Sequence, residues 1–141
     1  MTLEVRNIYP LTPTFKKVAS LYEAAFPVEE RLPLWQLSWN SLKNGQSFLA
    51  YFDQGVFIGF TYVICTDNLV YLLFLAVKES KQSQGYGSQI LAQVKKKAGV
   101  RPCVLTIEPM DEEQVSNRAQ RLKRLAFYER NGYQALNHFY F

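Results

Sequence analysis

The chain has 141 residues, the size of one ordinary domain, and a compact chain of this length buries roughly two-thirds of the surface it exposes when unfolded. A composition of 48% apolar and 20% charged residues is that of a globular protein and excludes a disordered or collagen-like chain. The net charge is +4, but residues 1–77 carry five basic and six acidic side chains while residues 78–141 carry eleven and six. The second half is therefore the expected host of an anionic ligand.

Metal and membrane sites are not expected from this sequence. Cys65 and Cys103 form no close pair and His138 is the only histidine, so the chain lacks the four ligands of a structural zinc site. One histidine also leaves few ways to build a Ser-His-Asp triad. The N-terminus has no signal pattern, and no apolar run approaches the roughly 18 residues of a membrane span. We therefore expect a cytoplasmic protein with no metal and no membrane partner.

The first predicted elements are one strand and two helices. Residues 3–6 alternate well enough for a short strand. Thr12 followed by proline is an N-cap signal, and apolar residues recur at helical spacing over 13–25. A charged loop between two prolines follows, and a second helix is predicted over 34–43.

Three strands are predicted next, over 47–52, 56–65 and 69–77. The first two flank a short hairpin turn that ends at Gly55, where a positive φ is wanted. The third is a nearly uninterrupted apolar run, which is typical of a central strand covered on both faces.

The pattern then changes to helical periodicity. A helix that ends at Gly99 is followed by a buried strand over 103–107, a helix over 117–130 and a final strand or hairpin over 133–141. The second of these helices is predicted to bury Leu122, Leu125, Ala126 and either Tyr128 or Phe127. No repeat or linker divides the chain, so residues 1–141 are predicted to form a single mixed α/β domain.

The loop between the central strand and its helix contains Gln82-Ser83-Gln84-Gly85-Tyr86-Gly87-Ser88. A helix N-terminus presents unpaired N–H groups and a partial positive charge, and glycines let the backbone close around a phosphate. The loop lacks the Gly-Lys-Ser/Thr of a Walker loop and the dinucleotide G-x-G-x-x-G pattern. It is therefore either a pyrophosphate cradle or a plain glycine-containing turn.

Two segments resemble motifs of the GNAT superfamily of acyl-CoA-dependent N-acetyltransferases. Residues 82–87 are similar to its Q/R-x-x-G-x-G/A element, and residues 126–133, Ala-Phe-Tyr-Glu-Arg-Asn-Gly-Tyr, to its F/L-Y-E-x-x-G-F/Y helix ending. The resemblance extends over the element order from residue 3 to 141. It implies the GNAT fold: a mixed, mostly antiparallel central sheet with helices on both faces and a splayed central strand for CoA.

The resemblance also implies acetyl-CoA as co-substrate and places it. The pantetheine arm would pair with the backbone of Leu75, Ala76 and Val77, as an extended ligand can at a bulged strand. The pyrophosphate would meet the backbone amides of Gln82, Ser83, Gln84, Gly85, Tyr86, Gly87 and Ser88. Lys78 and Lys81 are candidates for the adenosine 3′-phosphate, or are merely solvated.

Tyr128 matches the tyrosine that protonates the departing CoA thiolate in many family members, although it could instead be a core tyrosine with a satisfied hydroxyl. Members often carry an asparagine seven residues earlier, where this chain has Arg121. Asn117 lies three helical turns before Tyr128 and is a substitute for that cofactor contact only if the helix begins early.

The acceptor side is expected to use carboxylates. The amine must lose a proton, and Glu108, at the end of the fifth predicted strand, is a candidate catalytic base. Glu29 and Glu30 lie in the loop where family members shape the acceptor pocket and would favour a cationic amine. Each of the three carboxylates could equally be a surface charge.

The overall hypothesis is a cytoplasmic N-acetyltransferase that moves an acetyl group from acetyl-CoA to a primary amine of a small molecule or peptide. One alternative is a GNAT-fold protein that binds CoA as a sensor or scaffold without catalysis. Another is a basic nucleic-acid-binding module, which the modest charge makes the weakest of the three. Only nine residues follow Gly132, so the acceptor pocket could be open, the chain clipped, or the pocket completed by a second subunit in a homodimer.

Overall fold

The computed structural model describes residues 3–26, 31–43, 45–106, 118–133, 135–136 and 139–140, with the backbone alone for 118–121, 135–136 and 139–140. The helices are α1 (Pro13–Ala25), α2 (Leu34–Asn40), α3 (Tyr86–Ala98) and α4 (Arg118–Arg130). The strands are β1 (Glu4–Asn7), β2 (Gln46–Asp53), β3 (Val56–Cys65), β4 (Val70–Val77), β5 (Cys103–Thr106), β6 (Ala135–Leu136) and β7 (Phe139–Tyr140).

The described strands form one sheet in the order β1-β2-β3-β4-β5-β7-β6. Every neighbouring pair is antiparallel except β4 and β5, which run parallel because α3 crosses between them. The mixed, mostly antiparallel sheet predicted from the sequence is confirmed. The last segment is a short hairpin of two-residue strands rather than one longer strand.

Helices cover both faces of the sheet. On one face α1 and α2 bury Val18, Tyr22 and Leu37 against β2, β3 and β4. On the other face α3 and α4 bury Leu91, Val94 and Tyr128 against β3, β4 and β5. Among the helices described, none combines the length and apolarity that a membrane crossing needs.

The predicted helix signals act as expected. The Thr12 hydroxyl accepts a hydrogen bond from the Phe15 N–H (3.2 Å), with proline at the first position of α1. Gly99 ends α3 with a φ of +64°. The second helix is shorter than predicted, because the Leu42 N–H bonds the Trp39 carbonyl three residues back (3.2 Å) in a tightened last turn.

The predicted buried face of α4 is wrong in part. Leu122 is 48% exposed and Ala126 is also exposed, whereas Leu125 is half-buried and Tyr128 buried. The helix therefore meets the sheet mainly through the end that carries Phe127 and Tyr128, which join the same core cluster.

A β-bulge interrupts β4 at its centre. Tyr62 of β3 lies opposite Phe74 and Val63 lies opposite Leu72, so Leu73 is an extra residue on β4. The bulge exchanges the faces of the strand: Leu72 packs with α3 and α4, and Phe74 packs with α1. The half of β4 after the bulge therefore directs its side chains to the opposite faces from those that the first half would predict. This second half leads into the loop that carries the glycine motif.

Candidate active site

Strands β4 and β5 diverge into a fork. They pair only at Val70 with Cys103 and at Tyr71 with Val104. Beyond these pairs β5 continues alongside β7, and β4 stays paired with β3 as far as Val77. From Leu72 onward, the β5-facing edge of β4 therefore has no strand partner within the described residues, as expected for a splayed central strand.

The backbone of β4 faces the fork at alternate residues. The Lys78 N–H donates to the Ile58 carbonyl of β3 (2.8 Å), so Lys78 and Ala76 direct their backbone groups toward β3. A Cβ built on Gly59 would lie 2.2 Å from the Ala76 oxygen, which likewise places that carbonyl against β3. Leu75 and Val77 consequently direct their N–H and C=O groups into the fork. The three-residue pairing expected from the sequence thus has two members with the required orientation.

A side chain of the next loop already contacts this edge. The Gln82 Nε2 donates to the Val77 carbonyl (3.1 Å), across a short 3₁₀ turn at Glu79–Lys81. The Gln84 Nε2 donates to the Ser80 carbonyl (3.1 Å) and so closes the loop on itself. The first glutamine of the motif therefore holds the strand edge and the loop together.

The N-terminus of α3 has no side-chain cap. Gly85 is the N-cap residue with a φ of +83°, no side chain caps the helix, and a Cβ built on Gly85 would meet nothing within 4 Å. The first N–H groups, at Tyr86, Gly87 and Ser88, have no partner inside the helix. This is a suitable cradle for a pyrophosphate, because no side chain caps the amides and the helix dipole favours an anion.

Two further contacts fix the position of this helix start. The Tyr86 hydroxyl donates to Asp53 Oδ2 at the end of β2 (2.6 Å), and that hydrogen bond raises the pKa of Tyr86. Gly87 lies against the Phe127 ring, since a Cβ there would be 2.9 Å from two ring carbons. The second glycine of the motif is thus needed for the docking of α4 on α3. Lys78 is exposed and Lys81 half-buried beside the loop.

Tyr128 is 6% exposed, in the cluster that also holds Leu72 and Leu105 on either side of the fork. Its ring contacts Phe127 and Tyr133, with ring centroids 5.2 and 5.5 Å away. Burial raises the pKa of Tyr128 to about 12, although the positive charge of Arg124 acts in the opposite direction.

Beside Tyr128 lies a polar contact that the sequence did not suggest. The Cys103 thiol and the Tyr133 hydroxyl are 3.1 Å apart, and burial raises the pKa of both groups. The Lys95 ammonium lies 4.9 Å from the Tyr133 ring centroid and donates to the Asn131 carbonyl at the end of α4. These contacts hold the end of α4, and with it Tyr128, against β5 and α3.

On the face of the sheet that packs against α1, the side chains beside the fork are aromatic. Phe74, just after the bulge, lies 5.0 Å from Phe26 and 5.1 Å from Tyr22 between ring centroids. The Arg124 guanidinium lies 5.5 Å from the Phe26 ring centroid, so α4 reaches across to the end of α1. Several aromatic side chains are thus concentrated beside the fork.

Hydrogen bonds anchor both ends of the loop between α1 and α2. The Tyr22 hydroxyl donates to the Leu32 carbonyl (2.9 Å) and accepts from its N–H (2.6 Å). Arg31 donates to the Phe26 carbonyl (2.8 Å) and to the Glu23 carbonyl (3.0 Å) at the end of α1. The sequence offered no signal for these contacts beyond a tyrosine on the buried face of α1.

Several predicted site residues lie outside the described residues: Glu29, Glu30, Glu108 and Asn117. Their predicted roles remain predictions. Within the ranges that the structure describes, no group of three or more His, Cys, Asp and Glu side chains could hold a metal ion.

Comparison with known proteins agrees with this geometry. Residues 43–135 match the family profile described as "Acetyltransferase (GNAT) domain". YjbC of Bacillus subtilis (strain 168), named for an acetyltransferase, is 32% identical over 68 residues, which is 48% of this chain and 32% of that protein. The chain thus aligns with about a third of the length of that curated relative.

Solved structures share the fold. A GNAT-family acetyltransferase structure from Bacteroides thetaiotaomicron superposes with a TM-score of 0.78 at 24% identity, over 95% of this chain and 73% of that one. An aminoglycoside 6′-N-acetyltransferase complexed with coenzyme A has a TM-score of 0.70 at 17% identity, over 95% and 86%. PaiA N-acetyltransferase from Thermoplasma acidophilum, also with coenzyme A, has a TM-score of 0.63 at 20% identity, over 99% and 96%. With the fork, the uncapped helix start and the matched family profile in one continuous segment, the chain belongs to the GNAT acetyltransferase family.

Proposed function

We propose that this protein transfers the acetyl group of acetyl-CoA to a primary amine of a small molecule or peptide, by direct attack within a ternary complex. The observation that carries the proposal is that the open edge of β4 leads straight into the uncapped start of α3. Along residues 72–88, an extended ligand with a phosphate at one end could pair with the open strand edge and place its phosphate at the helix start. The cytoplasmic location stays a prediction, and the homodimer stays one of the alternatives that the sequence left open.

The open backbone groups would orient acetyl-CoA. The N–H and C=O groups of Leu75 and Val77 would pair with the amides of the pantetheine arm. The Val77 carbonyl would exchange its bond to Gln82 for one to the ligand. The amides of Tyr86, Gly87 and Ser88 would accept the pyrophosphate charge. This arrangement would place the thioester at the bulge, between Tyr128 and Phe74.

The proposed role of Tyr128 is to donate a hydrogen bond to the sulfur as the carbon–sulfur bond breaks. A pKa of about 12 keeps the hydroxyl protonated at neutral pH. Complete transfer of that proton to a thiolate whose pKa is about 8.5 would be uphill by roughly 5 kcal/mol. The proposed role of Tyr128 is therefore to stabilise the negative charge that develops on the sulfur, and its proton is not fully transferred before the carbon–sulfur bond breaks.

The acceptor amine must arrive without its extra proton, and Glu108 remains the proposed base. Glu29 and Glu30 remain the proposed partners of a cationic acceptor. Phe26, whose ring pairs with that of Phe74, lies three residues before Glu29 in the chain, and an aromatic pair with a carboxylate nearby would suit an amine with an apolar stem.

Release of free CoA thiol tests the proposal. Purified protein would be mixed with acetyl-CoA and a panel of polyamines, amino acids, peptide N-termini and aminoglycosides, the last because one structural neighbour is named for them. We expect one amine class to release thiol and to gain an acetyl group by mass. Tyr128→Phe should lower kcat with little change in the KM for acetyl-CoA.

Two results would count against parts of this account. Binding of acetyl-CoA without thiol release from any amine would favour the sensor or scaffold alternative. Undiminished turnover of polyamines after Glu29→Gln, Glu30→Gln and Glu108→Gln together would remove the carboxylates from the acceptor site.

A further inference from the structure

Asp53 and Tyr86 connect two parts of the chain that are 33 residues apart. Asp53 is the last residue of β2 and is half-buried, and Tyr86 is the first residue of α3. The Tyr86 hydroxyl donates a hydrogen bond to Asp53 Oδ2 (2.6 Å). A single side-chain hydrogen bond therefore joins the end of β2 to the start of the helix that bears the proposed cradle.

The Asp53 carboxylate is carried by a tight hairpin. Asp53 pairs with Val56 across the turn between β2 and β3, and the turn residues Gln54 and Gly55 have φ values of +51° and +80°. Two successive positive φ values are typical of a type I′ turn, whose twist matches that of the paired strands. The position of the carboxylate is therefore set by the sheet and not by the loop that carries the glycine motif.

The Tyr86 ring packs on the sheet together with the strand edge of the site. It contacts the core cluster that contains Ile58 and Ile90, and the side chains of Leu75 and Val77 pack against the same cluster. Leu75 and Val77 are the residues whose backbone groups point into the fork. The cluster thus connects the two halves of the proposed cofactor site, which are the open edge of β4 and the start of α3.

The first turn of α3 lacks the side-chain cap that commonly fixes a helix start. Its N-cap residue is Gly85, and its first backbone bond runs from the Gln89 N–H to the Gly85 carbonyl (3.1 Å). Uncapped helix ends fray. The amides of this turn therefore depend on contacts from outside the helix to stay in one position, and the hydrogen bond from Tyr86 to Asp53 is such a contact.

We propose that Asp53 and Tyr86 are positioning residues for the cofactor, because their hydrogen bond holds the first turn of α3 in the conformation that receives the pyrophosphate. The inference rests on the proposed function and adds two side chains to a cradle otherwise made of backbone groups. Binding to a preformed turn loses less conformational entropy than binding to a frayed one. The affinity for acetyl-CoA should therefore depend on this bond, although neither side chain has to touch the ligand.

Isothermal titration with acetyl-CoA, without any amine, measures this dependence. Tyr86→Phe keeps the ring and removes the hydroxyl, and it should weaken binding about three- to tenfold, the range expected when the ligand has to compensate for one hydrogen bond. Asp53→Ala should bind more weakly than Asp53→Asn by a similar factor, since both remove the same charge and only asparagine keeps an acceptor oxygen. In the Asp53→Ala chain, Tyr86→Phe should cause no further loss, because the bond is already broken.

Tyr51→Phe is the matched control. Tyr51 lies on the same strand as Asp53 and belongs to the cluster that the Tyr86 ring contacts. Its hydroxyl is 2.9 Å from the Thr61 hydroxyl, in a buried hydrogen bond. Loss of that bond should lower the unfolding free energy and leave the affinity for acetyl-CoA unchanged.

Hydrogen exchange at the Gln89 amide gives a second readout that needs no ligand. That amide makes the first backbone bond of α3, so its exchange reports local opening of the first turn. In the ligand-free protein it should exchange faster in Tyr86→Phe than in the original chain, and at the original rate in Tyr51→Phe.

The proposal would be overturned if Tyr86→Phe bound acetyl-CoA as tightly as the original chain or left the Gln89 exchange rate unchanged. An equal loss of affinity in Tyr51→Phe would also overturn it, because a general loss of stability would then explain the effect. If Tyr86→Phe does not fold, the comparison of Asp53→Ala with Asp53→Asn decides. An original chain that binds no acetyl-CoA would overturn the proposed function together with this role, whereas binding that none of the variants alters would overturn this role alone.

Discussion

Gly85→Glu tests the proposed phosphate cradle at its centre. Gly85 has a φ of +83° and open space where a Cβ would be, so any other residue there costs roughly 1–2 kcal/mol of backbone strain without a clash. A domain of this size is typically stable by about 5–15 kcal/mol, so the variant should fold. The added carboxylate would lie at the start of α3, where we expect the pyrophosphate.

The electrostatic cost of this change to acetyl-CoA binding can be estimated. Two unit charges about 5 Å apart near a protein surface repel by roughly 3 kcal/mol. That corresponds to about a hundredfold loss of affinity. Isothermal titration with acetyl-CoA measures it directly.

Two variants separate charge from strain. Gly85→Ala carries the same strained φ but adds no charge near the phosphate. Its affinity for acetyl-CoA should therefore stay within about threefold of the original, which is under about 0.7 kcal/mol of binding free energy. Gly99→Glu adds the same side chain at a φ of +64°, also in open space, at the other end of α3. Its affinity should be unchanged. If Gly85→Glu binds acetyl-CoA as tightly as Gly85→Ala, the cradle is misplaced.

Three further substitutions test other parts of the account. Because burial raises the pKa of Tyr128 from 10 to about 12, its contribution to stability is complete below pH 10 and is lost as pH rises through 12. Between pH 10 and 12 the unfolding free energy of the original chain should therefore fall by up to about 3 kcal/mol more than that of Tyr128→Phe, as measured by urea titrations at each pH. An equal fall in both proteins would contradict this. Gly87→Ala should cost about 1–3 kcal/mol through its contact with Phe127, and less in a Phe127→Ala background; additive losses would be inconsistent with that contact. Arg101 donates to three carbonyls at the end of α3 and the neighbouring turn, so Arg101→Ala should lower the unfolding free energy by about 1–3 kcal/mol at unchanged acetyl-CoA affinity, and weakened binding would show that its effect extends to the site.

Elements with a clear local signal were predictable from the sequence. The bounds of α1 match because a cap and a proline begin it and a proline follows it, and those of β3 match because turn residues flank it. The glycine motif was predicted to lie at a helix start because Gly85 and Gly87 follow an apolar strand and precede a helical pattern. Each of these signals depends on residues close together in the chain.

The resemblance implied a bulged, splayed central strand, but the position of the bulge in β4 was not predictable. The run Leu72-Leu73-Phe74-Leu75 is apolar throughout, so no alternation marks the point where the strand exchanges its faces. That exchange separates Phe74 from Leu72 across the sheet. It also could not be inferred that Ala76, unlike Leu75 and Val77, directs its backbone toward β3.

Long-range polar contacts were also missed. Tyr86 reaches Asp53 across 33 positions, and the Tyr22 hydroxyl binds Leu32 across ten. Such contacts depend on the tertiary fold, and nothing in the local sequence of either partner indicates them. The exposure of Leu122 on α4 has the same origin, since an apolar residue at helical spacing is buried only where a sheet lies beneath it.

The central claim is that acetyl-CoA pairs with the open edge of β4 and ends at the start of α3. Backbone amide resonances recorded by NMR with and without saturating acetyl-CoA test it residue by residue. We expect the Leu75 and Val77 amides to shift and to gain protection from hydrogen exchange, together with the first amides of α3, while Ala76 keeps the protection it has from β3. Leu75 and Val77 amides that stay unchanged at saturation would contradict the account.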